Sequence, residues 1–307
     1  MAAERLALVW CVFTTILMAV LWSRLPDPMT MFTTRVGWLL LTAVLFAVGM
    51  WHDCVLTRAL RTCGQLAWTG RWYPDTYEFN RCFDNLDHVF ASLEQSIFGC
   101  QPSLEMSHWL SGAAWSEAFY LGYFSYFPMI AVLMFALLYK SDAHNDRTYR
   151  PGFIVLCSFF IYYIIFIFVP VAGPQFYFEA AGTDNIVAGH FPQMGTYFSS
   201  HTEMMEMPGW KDGLFRHCVQ IAHAAGERPT AAFPSSHIGI ATILLMITRR
   251  EVPRLMWLFA PLYVLLCGAT VYIHAHYLID AIAGLLTAPL VYAISCIAYR
   301  RFTSLRS

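Results

Sequence analysis

Apolar runs close to the length of a membrane crossing recur along this chain and decide most of what it can fold into. A helix needs roughly 20 apolar residues to cross the hydrocarbon layer, and within that layer only helices and closed barrels satisfy every backbone polar group. Residues 6–22, 36–56, 118–139, 153–172, 255–273 and 277–299 reach or approach that length, the second interrupted near its far end by His52 and Asp53. A shorter run, 238–248, completes a crossing if it begins inside the polar motif before it. The length rule therefore predicts an all-α fold, a polytopic transmembrane helical bundle of about seven spans. The first run reads as a helix rather than a signal peptide, because Trp22-Ser23-Arg24-Leu25-Pro26 offers no small-residue cleavage site. Composition agrees: 58% of residues are apolar and 13% charged, which excludes an ordinary water-soluble domain. A formal net charge of -1 provides no basic field, so nucleic acid is not an expected partner.

Charge matters by position. Lys140, Arg147 and Arg150 fill one short loop, Arg249, Arg250 and Arg254 another, and Arg300, Arg301 and Arg306 mark the C-terminus. Basic residues favour the cytoplasmic side, so alternation sends the long segments 57–117 and 173–234 to the extracytoplasmic face. Of nine cysteines, Cys63, Cys82, Cys100 and Cys218 fall in those outer segments, where an oxidising compartment permits disulfides; free thiols are the equal alternative, and spacing does not fix a pairing. No internal repeat or low-complexity linker divides the chain. The segment around Leu93 to Ser103 reads as an amphipathic turn or two ended by Gly99 and Pro102, with Trp109 and Trp115 suited to the headgroup level.

Two polar segments interrupt apolar sequence at the same expected membrane face. The first is Ala232-Phe233-Pro234-Ser235-Ser236-His237. Proline pre-sets the backbone for a first helical turn, and Ser235 and Ser236 are natural capping residues, so a positive helix end with free N–H groups results. Such an end binds anions. A capped helix with a merely hydrogen-bonded His237 is the plainer alternative. The second segment holds His274, His276 and Asp280. His276 and Asp280, four apart, share a face if helical, and a carboxylate on one ring nitrogen makes the other a better nucleophile or base. Ionisable groups at membrane depth point to function. Together the segments supply an anion-binding helix end, a histidine to attack, an aspartate to orient it and a second histidine to protonate a leaving oxygen.

At these residues the chain resembles the type 2 phosphatidic acid phosphatase superfamily of lipid phosphatases and phosphotransferases. Its Pro-Ser-Gly-His signature corresponds to Pro234-Ser235-Ser236-His237, and its His-x-x-x-Asp signature to His276 and Asp280, followed by Ala281-Ile282-Ala283-Gly284. The resemblance implies that His276 becomes the phosphohistidine, Asp280 supports it, His237 is acid and then base, and Ser235 helps bind phosphate, without metal or cofactor. It also implies a six-helix core, which leaves one additional N-terminal span. The chain is expected to divide into N-terminal transmembrane helices at 1–57 and a catalytic membrane domain at 58–307 with two long extracytoplasmic loops, and the charge rule puts the active site on the extracytoplasmic face. The superfamily's phosphatases usually carry a Lys and an Arg-Pro in a first signature and an Arg six residues before the signature His; here Thr270 holds the latter place, and no Lys stands seven before Arg150-Pro151 or Arg228-Pro229. Lys211, Arg216 and Arg228, with His274 as helper, are the candidates for that missing positive charge; solvated loop charges are the alternative.

Thr270 within Ala269-Thr270-x-Tyr272-x-x-x-His276-Tyr277-x-x-Asp280, with Val169-Pro170-Val171-Ala172-Gly173-Pro174 and Phe98-Gly99-x-Gln101-Pro102-Ser103, resembles the branch containing inositol phosphorylceramide synthases. The branch implies a transferase that moves a phospho-head group such as phosphoinositol from a phospholipid donor to a ceramide-like lipid alcohol; the rival is hydrolysis of phosphatidate or a prenyl diphosphate, with water as acceptor. Two other classes stand beside it: a zinc site from His274, His276, Asp280 and His217 or His223, and a proton-relay transporter, which the lack of repeated halves disfavours.

Overall fold

The computed structural model describes residues 1–139 and 149–304, and every regular element among them is helical. Lys140, Arg147 and Arg306, used above to orient the chain, lie outside the described residues. In order come α1 (Ala2–Val20), α2 (Pro28–Trp51), α3 (Val55–Asn80), α4 (Asp87–Phe98), α5 (Pro102–Trp109), α6 (Ala113–Phe124) and α7 (Tyr126–Tyr139). Then follow α8 (Arg150–Phe168), α9 (Pro174–Ala181), α10 (Thr183–Val187), α11 (Leu214–Gly226), α12 (Ser236–Glu251), α13 (Met256–Tyr272) and α14 (Leu278–Ser304). Local chemistry sets several ends: Asp27 accepts from the Thr30 N–H at the start of α2, and Gly99, left-handed at φ 73°, stops α4.

Five helices are long and apolar enough to cross a membrane: α1, α2, α8, α13 with the turn before it, and α14. The pair α6 and α7, bent by 46°, meets the same length and apolarity test together, as a broken span or a re-entrant loop. The bend falls where Pro128 withholds the N–H that the Phe124 carbonyl would otherwise accept. Helix α12 starts inside the polar motif, as a seventh span requires, yet is only 16 residues long. At the centre stands α8, with 78% of its apolar window buried against 33% or less in the other four.

Residues 57–117 are not the outer loop expected from sequence. Most of them are helical, and α3 runs the length of the bundle. Its first turns lie beside Met1, Tyr149 and Tyr299, while Asn80 at its other end donates to the Phe166 carbonyl at 2.6 Å. Hydropathy hides this helix because it carries a polar stripe whose partners are far away in sequence. Arg61 forms two 2.6 Å bonds to Glu4, Asp75 pairs with Arg35 at 2.8 Å, and Gln65 accepts from the Trp38 indole at 2.7 Å. Polar groups satisfied inside a helix bundle are tolerated at membrane depth. Met1 consequently sits at the same end of the bundle as Tyr299 and Thr303. All nine cysteines are free thiols, Cys63, Cys82, Cys100 and Cys218 included.

Candidate active site

Helix α12 begins where the sequence motif indicates. Ser235 is its N-cap, buried, its hydroxyl accepting from the Ile238 N–H at 3.4 Å and its own N–H donating to the Asp280 carbonyl at 3.0 Å. The turn lies directly on α14: a Cβ at Gly284 would sit 2.4 Å from the Ser235 carbonyl oxygen, so only glycine permits the approach. In the first turn of α12, His237 packs against two rings, Tyr123 at 4.7 Å and Tyr126 at 4.6 Å.

His276 lies in the short connection between α13 and α14 and meets His237 there. Its Nδ1 is 2.8 Å from the Ala232 carbonyl oxygen, which can only accept, so Nδ1 carries the proton and Nε2 keeps its lone pair. That lone pair faces His237 Nδ1 at 3.4 Å. Burial pushes His276 down to about 4, so at neutral pH the ring is uncharged and nucleophilic. Asp280 approaches His276 Nδ1 only to 3.9 Å. The shared helical face expected from sequence does not form, because α14 starts at Leu278 and leaves His276 outside it. The Asp280 carboxylate instead accepts from the Tyr277 N–H at 2.9 Å, as a third-position acid does in a capping box, and the orienting partner of His276 is a backbone carbonyl.

Both imidazoles line a cavity of about 270 Å³. Ser236, Glu227, His223, Thr230 and Tyr126 also line it, and its apolar wall comes from α3, α7 and α8. His223 Nε2, Thr230 Oγ1 and the Tyr126 hydroxyl are buried with no hydrogen-bond partner among the described residues. Burial pushes the Glu227 carboxyl up, while nearby His223 draws it down. Among the described residues lining the cavity there is no Lys or Arg.

Two histidines face each other in a largely apolar cavity at a helix N-terminus, one of them with its Nε2 lone pair turned toward the other. Residues 89–294 match the PAP2 superfamily. The chain belongs to the PAP2 superfamily. Comparison with curated proteins and with solved structures finds no match. As a PAP2 member with several membrane-crossing helices, the protein is an integral-membrane phosphatase or phosphotransferase acting on lipid phosphates.

The candidate site rests on two carboxylates that sequence reasoning missed, Asp87 and Glu94. Asp87, fully buried on α4, accepts from the Ala172 and Gly173 N–H groups at 2.6 and 2.8 Å and from the Tyr277 hydroxyl at 3.0 Å. Gly173 has φ 96°, and a Cβ there would lie 2.6 Å from the Ala275 carbonyl oxygen. Glu94 accepts from the Leu278 and Ile279 N–H groups at 2.5 and 3.3 Å, holding the first turn of α14, and burial raises its carboxyl to about 7. Asp87 and Glu94 are two helical turns apart on one face, a spacing that was readable, but carboxylates on an amphipathic helix ordinarily face water.

The other residues singled out by sequence divide between rim and exterior. Ser236 lines the cavity, whereas Ser235 is engaged in capping. Arg228, exposed beside Glu227, donates to that residue's own carbonyl at 2.9 Å. Arg216 is buried but donates to the Met207 and Lys211 carbonyls, holding a loop against α6. Lys211 pairs at the surface with Glu206 at 2.5 Å. His274 is buried in a left-handed backbone conformation at φ 64° and does not line the cavity; burial lowers it to about 4. The structure thus brings none of Lys211, Arg216, Arg228 or His274 to the imidazole pair. Among the described residues no group of three or more His, Cys, Asp and Glu is placed to share a metal ion.

Proposed function

We propose that this PAP2 protein transfers a phospho-head group, such as phosphoinositol, from a glycerophospholipid to a ceramide-like lipid alcohol through a phosphohistidine at His276. The observation that carries the reading is the neutral Nε2 of His276 facing His237 in a cavity whose described lining has no Lys or Arg. A phosphate monoester brings about −1.5 to −2 charges at neutral pH and needs matching cations, whereas a phosphodiester brings a single negative charge. The lining therefore favours a diester donor over phosphatidate or a diphosphate, which sets transfer ahead of simple dephosphorylation.

In the first step His276 Nε2 attacks phosphorus, the bond to the diacylglycerol oxygen breaks, and His237 donates its proton to that oxygen. In the second, the acceptor hydroxyl attacks phosphorus, His237 takes the hydroxyl proton, and the N–P bond breaks to regenerate His276. His223 and Thr230, partnerless in the same lining, supply hydrogen bonds to the non-bridging oxygens, together with Ser236 and the N–H groups at the start of α12. The site faces the extracytoplasmic side: Arg5, Arg58 and Arg61 gather at the opposite end with Tyr299, and Arg150 and Arg250 bond there to Cys296 and Tyr292.

The test is turnover of a labelled phospholipid panel by purified protein, with and without ceramide, beside His276→Ala and His237→Ala. A new phosphosphingolipid that appears only when ceramide is supplied is the expected product. Release of inorganic phosphate from phosphatidate regardless of acceptor would replace transfer with hydrolysis.

A further inference from the structure

The apolar half of the catalytic cavity does not end at its wall. Between α3 and α7 lies a groove of about 440 Å³, and Thr69, Gly70, Phe127 and Phe159 line both it and the catalytic cavity. Beyond that shared throat the groove is lined by side chains such as Leu66, Ile130, Met134 and Leu138. From Phe127 to Leu138 helix α7 rises about 16 Å, close to half of a roughly 30 Å hydrocarbon core and so to the depth of one leaflet. Phe127 and Phe135 are exposed at 65% and 72%, which leaves the groove open sideways toward lipid.

We propose that this groove holds a hydrocarbon chain of the donor lipid, so that the lipid slides in sideways from its leaflet, with its phosphate at His276 and its chain between α3 and α7. The proposal rests on the phosphoryl-transfer reading above and adds where the substrate's chain lies. Continuity with the catalytic cavity identifies the occupant: a chain in this groove joins, through the throat, a headgroup placed among His223, His237 and His276. The α3 wall lies outside the residues 89–294 that match the PAP2 superfamily. Ala67 and Ala131 are exposed and line the groove but not the catalytic cavity, so larger side chains there narrow the groove outside the site of chemistry.

The experiment compares Ala67→Trp on α3 and Ala131→Trp on α7, which line the groove but not the catalytic cavity, with the unaltered protein. Two donors of one headgroup are used, a long-chain phospholipid in mixed micelles and a dibutyryl analogue soluble in water. The expected result is a KM for the long-chain donor raised at least tenfold in both variants, with kcat/KM for the dibutyryl donor within about twofold of the unaltered protein. A phospholipid carrying a photoreactive acyl chain should also crosslink to α7 residues 127–138, and Ala67→Trp should abolish that product. Equal effects on both donors, or unchanged long-chain turnover with crosslinks spread over the outer surface, would overturn the groove. His276→Ala, run alongside, reports on the chemistry itself: if it stays active, the phosphohistidine reading fails whatever the groove shows.

Discussion

Buried charges and open polar groups set two regions of this molecule apart. Among α1, α2 and α3 the buried charges are paired, Glu4 with Arg61 and Arg35 with Asp75, and Gln65 bonds Trp38 and Thr42, although Arg35 Nε and Nη2 and the Trp10 and Trp68 indoles lack partners among the described residues. Around the catalytic cavity no such charge pair forms: His223 Nε2, Thr230 Oγ1 and the Tyr126 hydroxyl have no partner among the described residues, and the His276 lone pair meets His237 at 3.4 Å. A matched buried charge holds helices together, and breaking it removes stability. An unmatched one lowers stability and persists where a ligand completes it. The first region therefore reads as architecture, the second as a site waiting for phosphate.

That contrast is sharpest in the variants with the largest effects. His276→Ala removes the proposed nucleophile, and activity should fall by at least about 10⁴-fold with the fold intact. His237→Ala should lose about 10²–10⁴-fold, the range of a general acid and base. In the matched region, Asp75→Ala strands Arg35, which is 2% exposed, and should destabilise by about 3–5 kcal/mol while specific activity per folded molecule is retained. Arg35→Met combined with Asp75→Leu should recover most of that loss in a detergent melt. A double variant no better than the single one would break the comparison.

Smaller effects test the open region. His223→Ala should leave thermal stability unchanged or slightly improved and lower kcat/KM by about 10²-fold, the size of one lost oxyanion donor. A stability loss with normal turnover would make His223 architecture instead. Glu94→Gln keeps the acceptor for the Leu278 and Ile279 N–H groups but cannot ionise. Because burial raises the Glu94 carboxyl to about 7, above its usual value near 4.3, its stabilising protonation is complete below about pH 4.3 and lost as pH rises through 7. The stability difference between Glu94→Gln and the unaltered protein should therefore shift in favour of the variant between pH 5 and 8. His276 has the opposite sign: its folded value near 4 means that stability held above pH 6.5 declines as pH falls toward 4. An acid limb in the rate profile above pH 5 must then belong to a group other than His276.

The histidines and the cap at Ser235 were legible because they sit in short motifs whose spacing encodes their roles. Asp280 was legible as a residue but not in its contact, since that depended on where α14 begins. Asp87 and Glu94 were hidden because their partners, Tyr277, Leu278 and Ile279, lie 184–190 positions away. The same distance problem concealed α3: its polar stripe looks like an outer loop until Glu4 and Arg35 are brought alongside. The replacement for the missing Arg was sought among loop cations, and Lys211 and Arg216 proved to have their own loop partners. His223 carries no local signature beyond its residue type.

The most direct measurement is to quench the purified protein at alkaline pH, where a P–N bond survives, within one turnover of a headgroup-labelled phospholipid, and map the adduct by mass spectrometry. The account predicts the phospho-head group on the peptide containing His276, accumulating when acceptor is withheld and discharged when ceramide is added. Turnover without any adduct on His276, or with the adduct on another residue, would contradict it.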